Sequence, residues 1–525
     1  CKLAGICVDR PRTGFVGKGS LWIDDVAVLQ PAKQAPTRAL QVETRGRRFG
    51  NLYAVGDTVA LRAHGEGERV RWSVTDFFDH ELSQGEGPAA AADIAFLLKQ
   101  PGWFSCKLEL LAGGRAVGTQ LLRCAALPGG AEPARSDFVG VCSHFGQSSY
   151  PLEAMNLMQR YGIDQFRDEI SWGGYEQQKG QLAMPAFGTA FLKRAAELKM
   201  RPLLIFDYAN RHYDKGAYPN SPEAIEAFGR YAVDLVRQTR GTVNMFEVWN
   251  EWVGGCGMDG RSGQHDGEAY GRLLQPTYRA VKHAFPDVTV VGIGGEYGAH
   301  CAENILGAIR TAGTNSMDAW SIHPYRYPNA PEFSDLVGEV NRIQAQVAQT
   351  GERTKAWVTE IGYPTHRGGN GSDEAAQARY LVRTLALLQS TRTVEKVFWY
   401  DLKDDGLTRD YNEHNFGLIR HERFNCAPKP GMVALSAFIR LTGGAEFKDL
   451  RRDNGLYLAN YRRPDGSEVV LLWAEQGRRT VRIAGELGAV HDLMGNAVAA
   501  ATAGVVEAGE NPVYVSGRSL RIAAK

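Results

Sequence analysis

Met245-Phe246-Glu247-Val248-Trp249-Asn250-Glu251-Trp252 is the stretch from which the rest of the chain can be read. An apolar run that stops on Asn-Glu has the form of a buried strand delivering polar side chains where it ends. Phe246, Val248 and Trp249 supply the core area that a parallel strand covered on both faces requires. Asn250 and Glu251 have no place in such a core, so they are expected at its mouth. Lys355-Ala356-Trp357-Val358-Thr359-Glu360-Ile361-Gly362-Tyr363 repeats the pattern, with Pro364 following. Either glutamate alone reads equally well as a solvated rim residue, because strand ends face water. Two glutamates on two strand ends are what cleavage of a glycosidic bond needs.

Composition sets the outer limits. At 525 residues the chain is too long for one domain. Hydrophobic content of 44% and charged content of 23% are those of an ordinary globular protein. A formal charge of +1 gives no reason to expect a nucleic-acid or anionic-membrane partner. No apolar run is long enough to span a bilayer as a helix. The 10 tryptophans and 20 tyrosines suit stacking on sugars, although core packing is the commoner use of each. The 8 cysteines lack CxxC spacing, which disfavours a zinc or redox centre. Cys106 and Cys124 flank a hairpin and read either as a bridge or as two core thiols. The sequence opens at Cys1 inside a strand-like segment, so the lack of a signal peptide within it carries no information.

Four regions follow in order. Residues 1–33 end in Leu21-Trp22-Ile23-Asp24-Asp25-Val26-Ala27-Val28-Leu29, similar to the last strand of a jelly roll that is incomplete here. Residues 34–130 alternate polar and apolar with glycine-rich turns, predicting an Ig-like β-sandwich. Residues 135–442 alternate strands with amphipathic helices. The strands are expected at 138–145, 165–172, 201–208, 244–251, 289–295, 317–325, 355–362 and 395–401. Helices are expected at 152–161 and at 221–239, the latter opened by Ser221-Pro222-Glu223. Eight such units in about 300 residues fit a (β/α)8 TIM barrel. A doubly wound sheet is the competitor, but polar residues at many strand ends favour the barrel. Residues 443–525 return to alternation around the Asp465-Gly466 turn, predicting a second β-sandwich. The fold class is therefore α/β, a TIM barrel flanked by antiparallel β-sandwiches.

The two glutamate motifs, with about a hundred residues and several βα units between them, resemble those of the clan A retaining glycoside hydrolases, most closely family 39 and its exopolysaccharide-cleaving members. The resemblance covers about residues 137 to 525. In that clan the acid/base follows an Asn at the end of strand four and the nucleophile ends strand seven. The resemblance thus implies Glu251 as acid/base and Glu360 as nucleophile. It further implies Arg167, in Phe166-Arg167-Asp168-Glu169, as a contact of the nucleophile, and Asn250 as a ligand of the sugar 2-hydroxyl. Ser321-Ile322-His323-Pro324-Tyr325 looks like the clan's strand-six motif, and Trp399 like the tryptophan flooring the sugar subsite.

Each of these residues also has a structural reading. Arg167 fits an ordinary Arg–Asp pair, Tyr325 a half-buried core tyrosine, His323 a satisfied strand-end imidazole and Trp399 core. His144, Trp172, Asp207 and Tyr208 end other strands and complete the candidates. The acid is expected to have its pKa raised by burial or by its neighbour's negative charge, since a free Glu titrates near about 4.3. Gly255-Cys256-Gly257-Met258-Asp259-Gly260 fits a dinucleotide fingerprint by spacing, but the loop continues where a helix should open, so it is read as a loop rimming the cleft. No serine-hydrolase elbow, P-loop or zincin motif occurs.

The expected activity is retaining hydrolysis of an oligo- or polysaccharide, with no cofactor and no metal. The carbohydrate is the expected partner, with no nucleic acid and no membrane span; oligomeric state is left open. A secreted, periplasmic or cell-surface location is expected. The alternatives are a hydrolase of another clan A family and a degenerate carbohydrate-binding barrel, since fold does not guarantee activity.

Overall fold

The computed structural model describes residues 40–129, 135–258, 265–498 and 504–524. The jelly-roll fragment expected at 1–33 lies outside the described residues. From Gln41 to Leu127 eight strands form two sheets. A three-stranded sheet joins Gln41–Arg45, Thr58–His64 and Ala92–Leu97, and a five-stranded sheet has Arg115–Leu127 and Gly102–Ala112 at its heart. Alternate residues of both, among them Val59, Leu61, Val70, Phe104 and Leu108, meet in a common core, as period-two patterning requires. Cys106 and Cys124 are buried, unbridged thiols in that core.

Eight parallel strands then close a barrel. They are β1 (Val139–Cys142), β2 (Gln165–Glu169), β3 (Arg201–Phe206), β4 (Met245–Val248), β5 (Thr289–Glu296), β6 (Ala319–Ile322), β7 (Ala356–Ile361) and β8 (Val394–Trp399). Most stop two or three residues short of the expected ends, because the terminal polar residues have turned out of the ladder into loops. The helix at Pro222–Thr239 is capped by Ser221, whose side chain accepts from the Ala224 amide, and the helix expected at 152–161 runs Ala154–Arg160. Side chains alternate between two layers. Cys142, Leu203, Met245, Val291, Ala319, Trp357 and Phe398 fill the barrel interior, while their strand neighbours join the larger core beneath the helices.

Two further contacts frame the site. The N-terminal sandwich rests on the long segment after β8: Trp103 Nε1 donates to Pro428 O at 2.9 Å and Gly50 N to Asn425 O at 2.9 Å. At the other end, where a sandwich was expected, Glu446–Ala524 builds one continuous six-stranded antiparallel sheet. One face of it, with Tyr457, Tyr461 and Trp473, belongs to the barrel's core, and the other holds a small core of Leu458, Leu472, Val481 and Val515. Register shifts at Ala484/Glu486 and Leu487/Ala489 interrupt its two long strands. Such bulges bend a sheet, which lets a single one cover both sides.

Candidate active site

Seven of the residues singled out from sequence, Arg167, Tyr208, Asn250, Glu251, His323, Tyr325 and Glu360, converge at the C-terminal mouth of the barrel. Arg167, the third residue of β2, points inward and is 4% exposed. Its guanidinium donates in three directions: Nε to Glu247 Oε2 at 2.6 Å, Nη1 to Glu360 Oε1 at 2.7 Å and Nη2 to Asn250 Oδ1 at 2.8 Å. Burial opposes its charge, but Glu247 and Glu360 keep it firmly cationic. Tyr325 donates its hydroxyl to the other oxygen of Glu360 at 2.7 Å. Burial and the Glu360 charge hold that phenol far above its ordinary pKa, so it remains a donor. Asn250 is fixed in orientation, because its oxygen is taken by Arg167 and its amide donates to the Tyr208 hydroxyl at 3.1 Å.

Glu251 is placed by a strained turn. Trp249 and Glu251 adopt φ of 67° and 47°, a conformation held only where the surroundings dictate it. Here the Trp249 ring is wedged between Tyr218 at 5.7 Å and Trp252 at 4.8 Å, and the Glu251 amide donates to Gly294 O at 2.6 Å. The Glu251 carboxylate then meets His323 Nδ1 at 2.8 Å on one oxygen and accepts from Cys256 Sγ at 3.0 Å on the other. One oxygen of Glu251, one of Glu360 and a ring nitrogen of His323 all lie within 4.8 Å of one another.

His323 sits behind the glutamates and is 1% exposed. Room for it comes from β5, whose Gly295 lies so close that a Cβ there would fall 2.0 Å from Nε2. That nitrogen is 3.0 Å from Thr359 Oγ1, whose hydroxyl donates to Glu247 Oε1 at 2.9 Å. With the Thr359 proton spent on Glu247, its oxygen accepts from Nε2, and Nδ1 shares one further hydrogen with Glu251. A chain of four groups therefore runs Glu247–Thr359–His323–Glu251. Burial disfavours the imidazolium, but Glu360 and Glu251 outweigh it and raise the His323 pKa.

The electrostatics of Glu251 differ from the sequence expectation. Burial does push its pKa up, as anticipated, but the hydrogen bond and charge of His323, aided by Cys256, bring it below the usual carboxylate value. The neighbour that decides is the imidazole rather than Glu360. Among the described residues, this glutamate–histidine group and a cluster of His144, Asp401 and Asp405 have the ligand atoms to hold a metal ion. The glutamates there are already engaged by Arg167, Tyr325 and Cys256, a donor set that serves carboxylates rather than a cation.

The other candidates fall elsewhere. His144 follows β1 and pairs with Asp405 at 3.0 Å, with its ring 5.9 Å from that of Tyr400. Burial works against its charge, but the bond to Asp405 raises its pKa to about 10. Asp207 is fully buried at the end of β3, where burial and then Glu169 push its pKa far up. Trp172 does not reach the mouth: it is stacked between Tyr213 at 5.0 Å and Tyr231 at 6.1 Å, behind the barrel wall. Trp399 is also 0% exposed, packed against Tyr363 at 6.1 Å. It shares the outward parity of Val397, so it cannot floor a sugar subsite. The next residue, Tyr400, has the inward parity and approaches Tyr325 at 6.3 Å and Phe416 at 5.1 Å.

Sequence reading quoted Glu247, Cys256, Thr359 and Tyr400 only as parts of motifs, without a role of their own, and passed over Glu413. Glu247 carried a signal, namely a charge two residues from both Met245 and Trp249 inside an apolar strand. Cys256 lies in a loop, and Glu413, which accepts from the Tyr400 hydroxyl at 3.3 Å, lies in the single 3-10 turn Asn412–Asn415, so neither has a periodicity long enough to place it.

With the geometry described, comparison with known proteins adds the following. Residues 264–418 match the family model described as glycosyl hydrolase catalytic core. That span holds His323, Tyr325, Glu360 and Tyr400 but begins after Arg167 and Glu251. A family 39 glycoside hydrolase from the gut symbiont Bacteroides cellulosilyticus WH2 superposes with a TM-score of 0.74 at 23% identity, over 91% of this chain and 100% of that one. The catalytic domain of GH30 xylanase C from Talaromyces cellulolyticus gives 0.52 at 12% identity, over 74% and 98%. A GH30 endoxylanase from Clostridium papyrosolvens C71 gives 0.50 at 13%, over 74% and 98%. At these identities the likeness is one of fold. No curated protein sequence matches the chain.

Proposed function

We propose that this glycoside hydrolase cleaves O-glycosidic bonds of an oligo- or polysaccharide with retention of configuration, using Glu360 as nucleophile and Glu251 as general acid and base. The observation that carries the reading is the closeness of the two carboxylates, with oxygens within 4.8 Å at one barrel mouth. Retaining enzymes hold the pair about 5–5.5 Å apart, whereas inverting ones need about 6.5–9.5 Å to admit a water.

The surroundings support the division of labour. Glu360 accepts from a guanidinium and a phenol, both of which stabilise a carboxylate ready to attack an anomeric carbon. Glu251 has the proton-sharing partner, His323, which suits a group that must give and take a proton. In the first step Glu360 bonds to the anomeric carbon as the glycosidic C–O bond breaks and Glu251 delivers a proton to the departing oxygen. In the second, Glu251 takes a proton from water, which displaces Glu360. In this reading Asn250, held by Arg167 and Tyr208, binds the hydroxyl next to the reacting carbon.

Azide tests both roles. Glu251→Ala should still glycosylate with an activated aryl leaving group, then stall until azide releases a glycosyl azide of retained configuration. Glu360→Gly should form no glycosyl-enzyme, and azide should give the inverted product. Swapped configurations would exchange the roles, and unimpaired activity in both variants would end the proposal.

A further inference from the structure

A second cavity, of about 270 Å³, opens where the N-terminal sandwich meets the loops that follow β7 and β8. Its lining is strongly cationic: Arg123 comes from the sandwich, Arg367 from the β7 loop, and Arg409, Arg420, Arg423 and Lys429 from the β8 segment. Two acids answer them, and both are already engaged. Glu374 receives Arg420 on both oxygens at 2.7 and 2.6 Å, and Asp404 receives Lys429 at 2.6 Å. Arg123, Arg367, Arg409 and Arg423 make no side-chain hydrogen bond or ion pair among the described residues. The Nε atoms of Arg123 and Arg420 are buried without a partner.

Gathering unpaired guanidinium groups costs energy unless an anion joins them, and guanidinium forks match planar or tetrahedral oxyanions. Burial and the charges of Arg420 and Arg409 already depress the Arg123 pKa. The lining also carries exposed apolar surface, with Phe424 52% and Leu407 46% exposed. An aromatic face beside oxyanion donors suits a sugar ring bearing an acidic group better than a free ion.

The cavity and the candidate active site draw on the same two segments of chain, those that follow β7 and β8. The β8 segment carries Tyr400, whose ring approaches Tyr325 and whose hydroxyl donates to Glu413 at 3.3 Å, and it also supplies Arg409, Arg420 and Arg423 to the cavity, while Arg367 lies seven residues beyond Glu360. We propose that this cavity is an accessory subsite for an anionic sugar unit of the substrate polymer, a residue bearing a carboxylate or a sulfate. The proposal rests on the reading of the chain as a polysaccharide hydrolase, and its test is one of binding, so that a failure of the catalytic roles would leave it measurable.

Binding would be measured by calorimetry on the full chain carrying Glu360→Gln. The probes are a tetragalacturonate, a chondroitin sulfate hexasaccharide, a neutral cello-oligosaccharide and inorganic sulfate. At least one acidic oligosaccharide should bind about tenfold or more tighter than the neutral one, and added salt should weaken it. The double variant Arg409→Gln/Arg423→Gln changes two exposed residues and should remove that preference, while hydrolysis of a small neutral aryl glycoside by the same variant with Glu360 intact stays at the parent rate. The proposal fails if acidic and neutral probes bind alike, if the arginine variant keeps the preference, or if sulfate alone binds and neither acidic oligosaccharide does.

Discussion

His323 Nδ1 lies 2.8 Å from Glu251 Oε1, so the residue proposed as general acid is paired with a buried imidazole rather than left to its own burial. The sign of the pH dependence follows. Burial raises and His323 lowers the Glu251 pKa, with a net fall, so its acid form grows only as the pH drops. Cleavage of a substrate with a poor leaving group should therefore decline as pH rises through that lowered value. His323→Gln removes the charge that holds Glu251 down, and the basic limb of kcat/KM should move to higher pH. A limb that does not move would disconnect the two groups. For stability, the Glu251 contribution is present above the ordinary carboxylate value and lost as pH falls through the lowered one. The His323 contribution is lost as pH rises through its raised pKa.

Arg167→Lys tests the three-way fork. A lysine keeps one charge but cannot reach Glu247, Glu360 and Asn250 together. The loss in kcat/KM should be on the order of a hundredfold, the scale of one preorganised donor. Circular dichroism should show a folded protein. Near-parent kinetics would remove Arg167 from the site.

Trp399 and Tyr400 should separate cleanly. Trp399→Ala empties a fully buried site and should cost about 3–5 kcal/mol of stability, with little change in turnover per folded molecule. Tyr400→Ala should do the reverse, lowering kcat/KM with a smaller fall in melting temperature. Parallel losses in both would contradict the opposite parities assigned to them.

A final prediction concerns the join between barrel and C-terminal sheet. Glu332 receives Arg383 on both oxygens at 2.6 Å and Trp473 Nε1 at 2.7 Å, with both charged side chains essentially inaccessible. Glu332→Gln strands a buried guanidinium and should cost about 3–5 kcal/mol, read as a drop in Tm. Adding Arg383→Met should recover part of that loss. A double variant less stable than the single would show that Arg383 has other support.

The eight-stranded barrel and the glutamate pair were legible in the chain itself. Strand ends are written as apolar runs that stop on polar residues, and helix starts as Ser-Pro-Glu, because both follow from local backbone chemistry and side-chain period. What tertiary structure alone decided is which way side chains face and what meets them across the barrel. Trp399 and Tyr400 are adjacent, and a one-residue difference in parity sends one to the core and the other to the mouth. Glu247, Thr359 and His323 come from β4, the end of β7 and the end of β6, so their proton chain exists only once the strands are in register. The pKa of Glu251 went down rather than up for the same reason: a titration is set by charges a few ångströms away in space, and the sequence lays those charges more than seventy residues apart.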